Sequence, residues 1–110
     1  MNLEKFQKEV HEVAVEHGWW ENPKEFGTLI ALTHCELSEA LQEARKNGKD
    51  INECYLGEKG SLEGVPAELA DVVIRVLDMC DYYGINLSKV MEAKNEYNKS
   101  RPYKHGGRKF

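Results

Sequence analysis

Cysteine is scarce in this chain. Cys35, Cys54 and Cys80 are odd in number, and no two stand at metal-ligand spacing. A disulfide framework and a zinc site are therefore not expected. Cys35 and Cys80 read as small helix residues in a reducing compartment. No apolar run approaches the ~18 residues that suggest a membrane span. The opening Met1-Asn2-Leu3-Glu4-Lys5 lacks the apolar stretch of a signal peptide. Internal repeats, low-complexity tracts and domain linkers are missing too. The expectation is a single cytoplasmic domain over residues 1–110.

What is present points the same way. Hydrophobic residues make up 41% and charged residues 31%, a balance that fits a soluble globular protein and not a disordered acidic chain. A helical chain of 110 residues buries only a thin core, so self-association is expected. The net charge is -4, from 15 basic and 19 acidic residues, which argues against binding to nucleic acid polymers. The charge is uneven, however. From Lys99 to Phe110 there are five Lys or Arg residues, one His and no acid, which leaves room for a small acidic ligand or a phosphate.

Apolar periodicity predicts four helices. Leu3, Phe6, Val10, Val13 and Ala14 recur at helical spacing, with Asn2 as N-cap and Gly18 as stop. A second helix is expected from Asn22-Pro23-Lys24-Glu25, where Asn can cap, Pro suits the first position and Glu completes a capping box. Its stripe reads Phe26, Leu29, Ile30, Leu37, Ala40, Leu41 and Ala44, and Asn47-Gly48 ends it. A loop from Asn47 to Gly64 follows, with glycines at 48, 57, 60 and 64. Loops of this length are often functional or mobile, although a plain connector is an equal reading. The third helix opens near Pro66 and runs to about Tyr83 along Leu69, Val72, Val73, Val76, Met79 and Cys80. The fourth starts after Asn86 and stops before Pro102. No segment alternates with the period of two that strands require. The expected class is all-α, a four-helix bundle-like domain completed by oligomerisation.

Two acid pairs stand out on this framework. The second helix carries Glu36-Leu37-Ser38-Glu39, and the third carries Glu68-Leu69-Ala70-Asp71. Residues three apart project from one side of a helix. At ~100° per residue, Glu36 and Glu68 border their apolar stripes, Glu39 and Asp71 lie beside them, and Glu43 falls between Glu36 and Glu39. Packing the two stripes together gathers four carboxylates. Such a cluster repels itself unless a cation sits among its members. Oxygen ligands suit a hard divalent ion, and magnesium completes its shell with water and phosphate. Single pairs of this kind are commonly solvated surface. Two matched pairs, each bordering a core stripe, are harder to explain that way.

The fourth helix changes character along its length. Its inward face begins with Leu87, Val90 and Met91 and continues as Lys94, Asn98 and Arg101. Inward cations need anionic partners, whether the carboxylates, a neighbouring chain or a phosphate. A plain frayed helix end is the competing reading, and it extends to the basic tail beyond Pro102. At the end of the first helix His17 continues the stripe, and Trp19-Trp20 follow. Either Trp, with Trp20 as the first choice, could stack on a nucleobase, although a Trp in a small core is more often structural.

Glu36-x-x-Glu39 followed by Glu68-x-x-Asp71, on successive helical patterns, resembles the signature of MazG-type nucleotide pyrophosphohydrolases. The segment Lys94-Asn95-Glu96-Tyr97-Asn98-Lys99-Ser100-Arg101-Pro102 resembles that family's C-terminal segment, where Lys and Asn recur four apart with an Arg soon after. The resemblance runs from Phe26 to His105. It implies Mg²⁺, an oligomeric all-α bundle (a homodimer or homotetramer), and cleavage of a nucleoside triphosphate to its monophosphate and pyrophosphate. Glu36, Glu39, Glu68 and Asp71 match the metal-binding positions. Lys94 and Asn98, with Arg101 a weaker match, fall at positions expected near the phosphates. Lys94 would stabilise phosphate charge, and Glu39, further from the core stripe, is the choice for orienting or deprotonating the attacking water.

Three rivals come from other classes. A non-catalytic helical interaction or regulatory module related to this family would bind no divalent metal, and the intact acidic quartet counts against it. A di-iron carboxylate bundle needs Glu-x-x-His, and none of His11, His17, His34 or His105 has Glu three residues before it. An RNA-binding role through the basic tail conflicts with the acidic remainder and the absence of an RNA-binding motif.

Overall fold

The computed structural model describes residues 1–46 and 50–102. Asn2 accepts the Lys5 amide at 3.0 Å and opens α1, Leu3–Glu16. Gly18 follows the end of α1 at φ 83°, in the left-handed region that costs glycine nothing. α2 spans Phe26–Ala44, α3 Val65–Tyr82 and α4 Leu87–Ser100. Asn86 caps α4 by accepting the Lys89 amide at 3.2 Å. The chain is mostly helical, with the helices in the expected order. Among the described residues, no helix is long and apolar enough to cross a membrane.

Two local expectations are corrected. Asn22-Pro23-Lys24-Glu25 does not start α2. The helix begins at Phe26, and its cap position, Glu25, is extended at ψ 153° with no side-chain cap. The segment instead runs past Trp19, placing the Lys24 ammonium 4.0 Å from that ring's centroid. The 47–64 loop is also not wholly irregular. Tyr55–Leu56 (β1) and Leu62–Glu63 (β2) pair antiparallel, with Tyr55 opposite Glu63 and Leu56 opposite Leu62. Strands of two residues are too short to show alternation in a sequence. The expected Asn47-Gly48 stop and the tail from Tyr103 to Phe110 lie outside the described residues.

Gly64 joins the hairpin directly to α3. Its φ is 114°, and a Cβ there would meet the Glu53 carbonyl oxygen at 2.3 Å, so only glycine fits. Pro66 then occupies the first turn of α3, where its missing N–H costs nothing.

α3 is the central helix and packs against both α2 and α1. Leu77 on α3 is 1% exposed, and Val10, Leu29, Ala40, Ala67, Met79 and Cys80 complete the core. Gln7 donates to the Ile85 carbonyl at 2.8 Å and thereby ties α1 to the turn after α3. Among the described residues, α4 packs chiefly against α1. Its Val90, Met91 and Tyr97 are 48%, 51% and 59% exposed. The radius of gyration is 16.6 Å, whereas a compact chain of this length has about 13 Å.

Candidate metal centre and adjoining cavity

The α2–α3 pairing brings three of the four predicted acids together. One carboxylate oxygen from each of Glu36, Glu39 and Glu68 lies within 4.8 Å of the others. Glu36 and Glu68 are partly buried and Glu39 is exposed. Asp71, one turn beyond Glu68, borders the same region and lines a cavity together with Glu36.

The electrostatics single out Glu68. Desolvation raises its pKa first, and the charges of Glu39 and Asp71, a hydrogen bond with Glu39 and the charge of Glu36 add to this, giving about 7. Its Oε2 is buried and has no hydrogen-bond partner among the described residues. A buried carboxylate oxygen without a donor is costly, and a cation is the group that this surplus of acceptors lacks. Asp71 is pushed up as well, by partial desolvation and then by Glu36, with Arg75 opposing.

Arg75 is the cation that the structure does place at the cluster. Its Nε and Nη2 both donate to Glu36 Oε1, at 3.1 and 3.0 Å. This fixes the Glu36 carboxylate through one oxygen and leaves the other unconstrained by Arg75. The guanidinium also lies 4.0 Å from the Trp19 centroid, so Arg75 and Lys24 bracket that ring. Sequence reasoning missed Arg75, although it stands at i+4 from Asp71 on the acidic face of α3.

A cavity of about 350 Å³ adjoins the cluster. Val10, Val13, Ala14, Ile74 and the Trp19 ring supply its apolar lining, and His17, Arg75 and Asp78 join Glu36 and Asp71 on its polar side. Asp78 is 5% exposed. His11 Nδ1 lies 2.7 Å from its Oδ1, and Trp20 Nε1 donates to the same oxygen at 2.9 Å. Trp20 stacks on Tyr82 at 3.9 Å between ring centroids and is not part of the cavity wall. The expected Trp position at the end of α1 is thus divided: Trp19 borders the cavity, and Trp20 braces the carboxylate behind it.

Glu43 is kept apart from the metal set. It is buried on α2, accepts the Tyr55 hydroxyl at 2.6 Å and pairs with Lys46. The Lys46 ammonium, followed by the Tyr55 hydroxyl, holds Glu43 below the usual carboxylate range. The cluster pins the hairpin to the end of α2.

The remaining predicted residues are not at the carboxylates within one chain. Lys94 and Asn98 lie on the exposed length of α4, and Arg101 follows as its extended C-cap. Lys94 and Arg101 lie 5.6 and 5.9 Å from the Tyr97 ring centroid. Comparison with known proteins finds no matching family model, curated protein or solved structure.

Proposed function

We propose that this chain is a Mg²⁺-dependent nucleoside triphosphate pyrophosphohydrolase that works as a symmetric oligomer. The observation that carries the reading is the partnerless buried Oε2 of Glu68 inside an all-carboxylate cluster, next to a cavity large enough for a small molecule. The donor set is oxygen alone, which suits magnesium over softer metals. Glu36, Glu39 and Glu68 would hold the ion, with Asp71 beside them. When bound, it supplies charge neutralisation at phosphate oxygens and activation of water for attack at the α-phosphorus.

The protein's own residues divide the remaining work. Arg75 keeps Glu36 oriented in the absence of metal. Glu39, exposed and next to Glu68, orients the attacking water and takes its proton. Lys94, Asn98 and Arg101 reach the phosphate chain from a second copy, since α4 stands away from its own chain's cluster. The exposed Val90 and Met91 give that copy its contact. The products are a nucleoside monophosphate and pyrophosphate.

The deciding experiment measures pyrophosphate release from the eight common NTPs and dNTPs, with Mg²⁺ and with EDTA. Metal-dependent release from any of them supports the reading. No release from the whole panel, together with no Mg²⁺ binding by calorimetry, would instead leave the non-catalytic interaction module. Sedimentation at micromolar concentration tests the assembly, and a monomer there would remove the shared site.

A further inference from the structure

The cavity carries one carboxylate that the proposed metal chemistry does not use. All the hydrogen bonds that Asp78 accepts from described residues fall on Oδ1, from His11 and Trp20. Two partners on a single oxygen fix the plane of the carboxylate. Oδ2 takes no bond from a described residue, yet unlike Glu68 Oε2 it is not sealed from solvent. Asp78 is more than nine-tenths buried and lines this cavity, as well as a smaller one beside Trp20 and Leu29. The result is a held acceptor in a wall that carries Val10, Val13, Ala14 and Ile74 on one part and His17, Glu36, Asp71 and Arg75 on another.

We propose that this cavity is a base-recognition site in which Asp78 Oδ2 accepts a hydrogen bond from an exocyclic amine, so that amino-bearing bases are favoured over uracil and thymine. The inference rests on the function proposed above. Glu36 and Asp71 border the same cavity, so a nucleotide with its phosphates at the carboxylates has its base within reach of Asp78. Val10, Val13, Ala14 and Ile74 provide the apolar surface that a base needs. Trp19 contributes to the wall without an open stacking face, because Lys24 and Arg75 bracket its ring.

The selectivity follows from acceptor chemistry. Cytosine N4 and adenine N6 each present an N–H that Oδ2 can accept. Uracil and thymine carry a carbonyl where cytosine carries the amine. Placing that oxygen against a fixed carboxylate loses the bond and sets two acceptors against each other. A site built around one hydrogen bond rejects the analogue that lacks it far more strongly than an apolar pocket rejects a methyl group.

The test uses calorimetric binding of deoxynucleoside monophosphates to the full chain. The pairs dCMP with dUMP and dAMP with dIMP each differ by an amine replaced with a carbonyl. The expected result is at least about tenfold tighter binding of the amine in one pair or both, and the pair that responds tells pyrimidine from purine. Equal or absent binding across both pairs overturns the inference. Asp78→Asn, which is isosteric and presents an amide, should flatten or invert the preference, whereas an unchanged preference removes Asp78 from the site. Because the monophosphate pairs use the unaltered protein, a variant that misfolds leaves the test intact. Triphosphate cleavage without amine selectivity would sink this inference and keep the reaction. Selective binding without cleavage would do the reverse.

Discussion

Glu43 and Glu68 are acids of the same two packed helices, and the structure treats them oppositely. Glu43 is buried with a phenol and an ammonium supplied for it, and its pKa falls. Glu68 is partly buried among three other acids with one oxygen unpaired, and its pKa rises to about 7. A carboxylate that serves the fold arrives with its donors. One that waits for a ligand does not, and the fold bears the cost of keeping it ready. On the function proposed above, comparing the two separates the structural acid from the metal-binding one more sharply than spacing does.

The strongest way to break the comparison is to neutralise Glu68. Glu68→Gln should lower the rate of pyrophosphate release at least ~100-fold, beyond the usual loss for a residue that only supports a ligand. It should also raise the metal-free Tm at pH 8, because a charge held against its neighbours has gone. Lower activity with a lower Tm would make Glu68 an ordinary structural acid.

Titration gives the next largest effect. Folded, metal-free Glu68 keeps its proton to about pH 7, whereas in the unfolded chain it ionises near the ordinary glutamate value of 4.5. Between those values the folded state holds more protons, so the Glu68 contribution to metal-free stability falls as pH rises. Magnesium requires the ionised form, so its affinity should climb with pH and level off above about 7. Calorimetry in two buffers of different ionisation enthalpy would show the released proton near pH 6.5. Affinity that does not change from pH 5.5 to 8 would count against Glu68 as a ligand.

Arg75 sharpens the contrast further, since among the described residues it supplies the donor pair to Glu36. Arg75→Gln should weaken Mg²⁺ binding about tenfold by freeing Glu36 to reorient, with helicity by circular dichroism unchanged. The smallest effect belongs to the structural acid. Tyr55→Phe removes a donor from Glu43 and should lower Tm by a few degrees while leaving Mg²⁺ affinity as it was. A loss of affinity there would place the hairpin in the site.

Much of this was written locally. Asn2 and Asn86 cap through their own side chains, and Gly18 and Gly84 adopt the positive φ that a helix stop demands. The stripes hold in part: Leu29, Ala40, Met79 and Cys80 are buried, whereas Phe26, Leu37, Leu41, Leu69 and Val73 are exposed, and Glu36, Glu39 and Glu68 still meet where the two helices pack. What stayed hidden depends on partners far apart in the chain. His11 and Trp20 reach Asp78 across 67 and 58 residues, and no period reports such a meeting. The α2 start misled because Asn-Pro-Lys-Glu satisfies every local rule for a cap, while Lys24 is drawn to the Trp19 ring instead. For α4 the stripe was legible but its destination was not. An apolar face says that something covers it, without saying whose.

The neighbouring indoles have an optical consequence. Trp20, stacked on Tyr82 with an interplanar angle of 6°, is held rigidly and should dominate the near-ultraviolet dichroism. Trp19, bordering the cavity between two cations, should dominate any change in emission when the cavity fills. Adjacent in sequence but opposite in surroundings, the two rings make the chain its own two-channel probe, one for the integrity of the fold and one for occupancy.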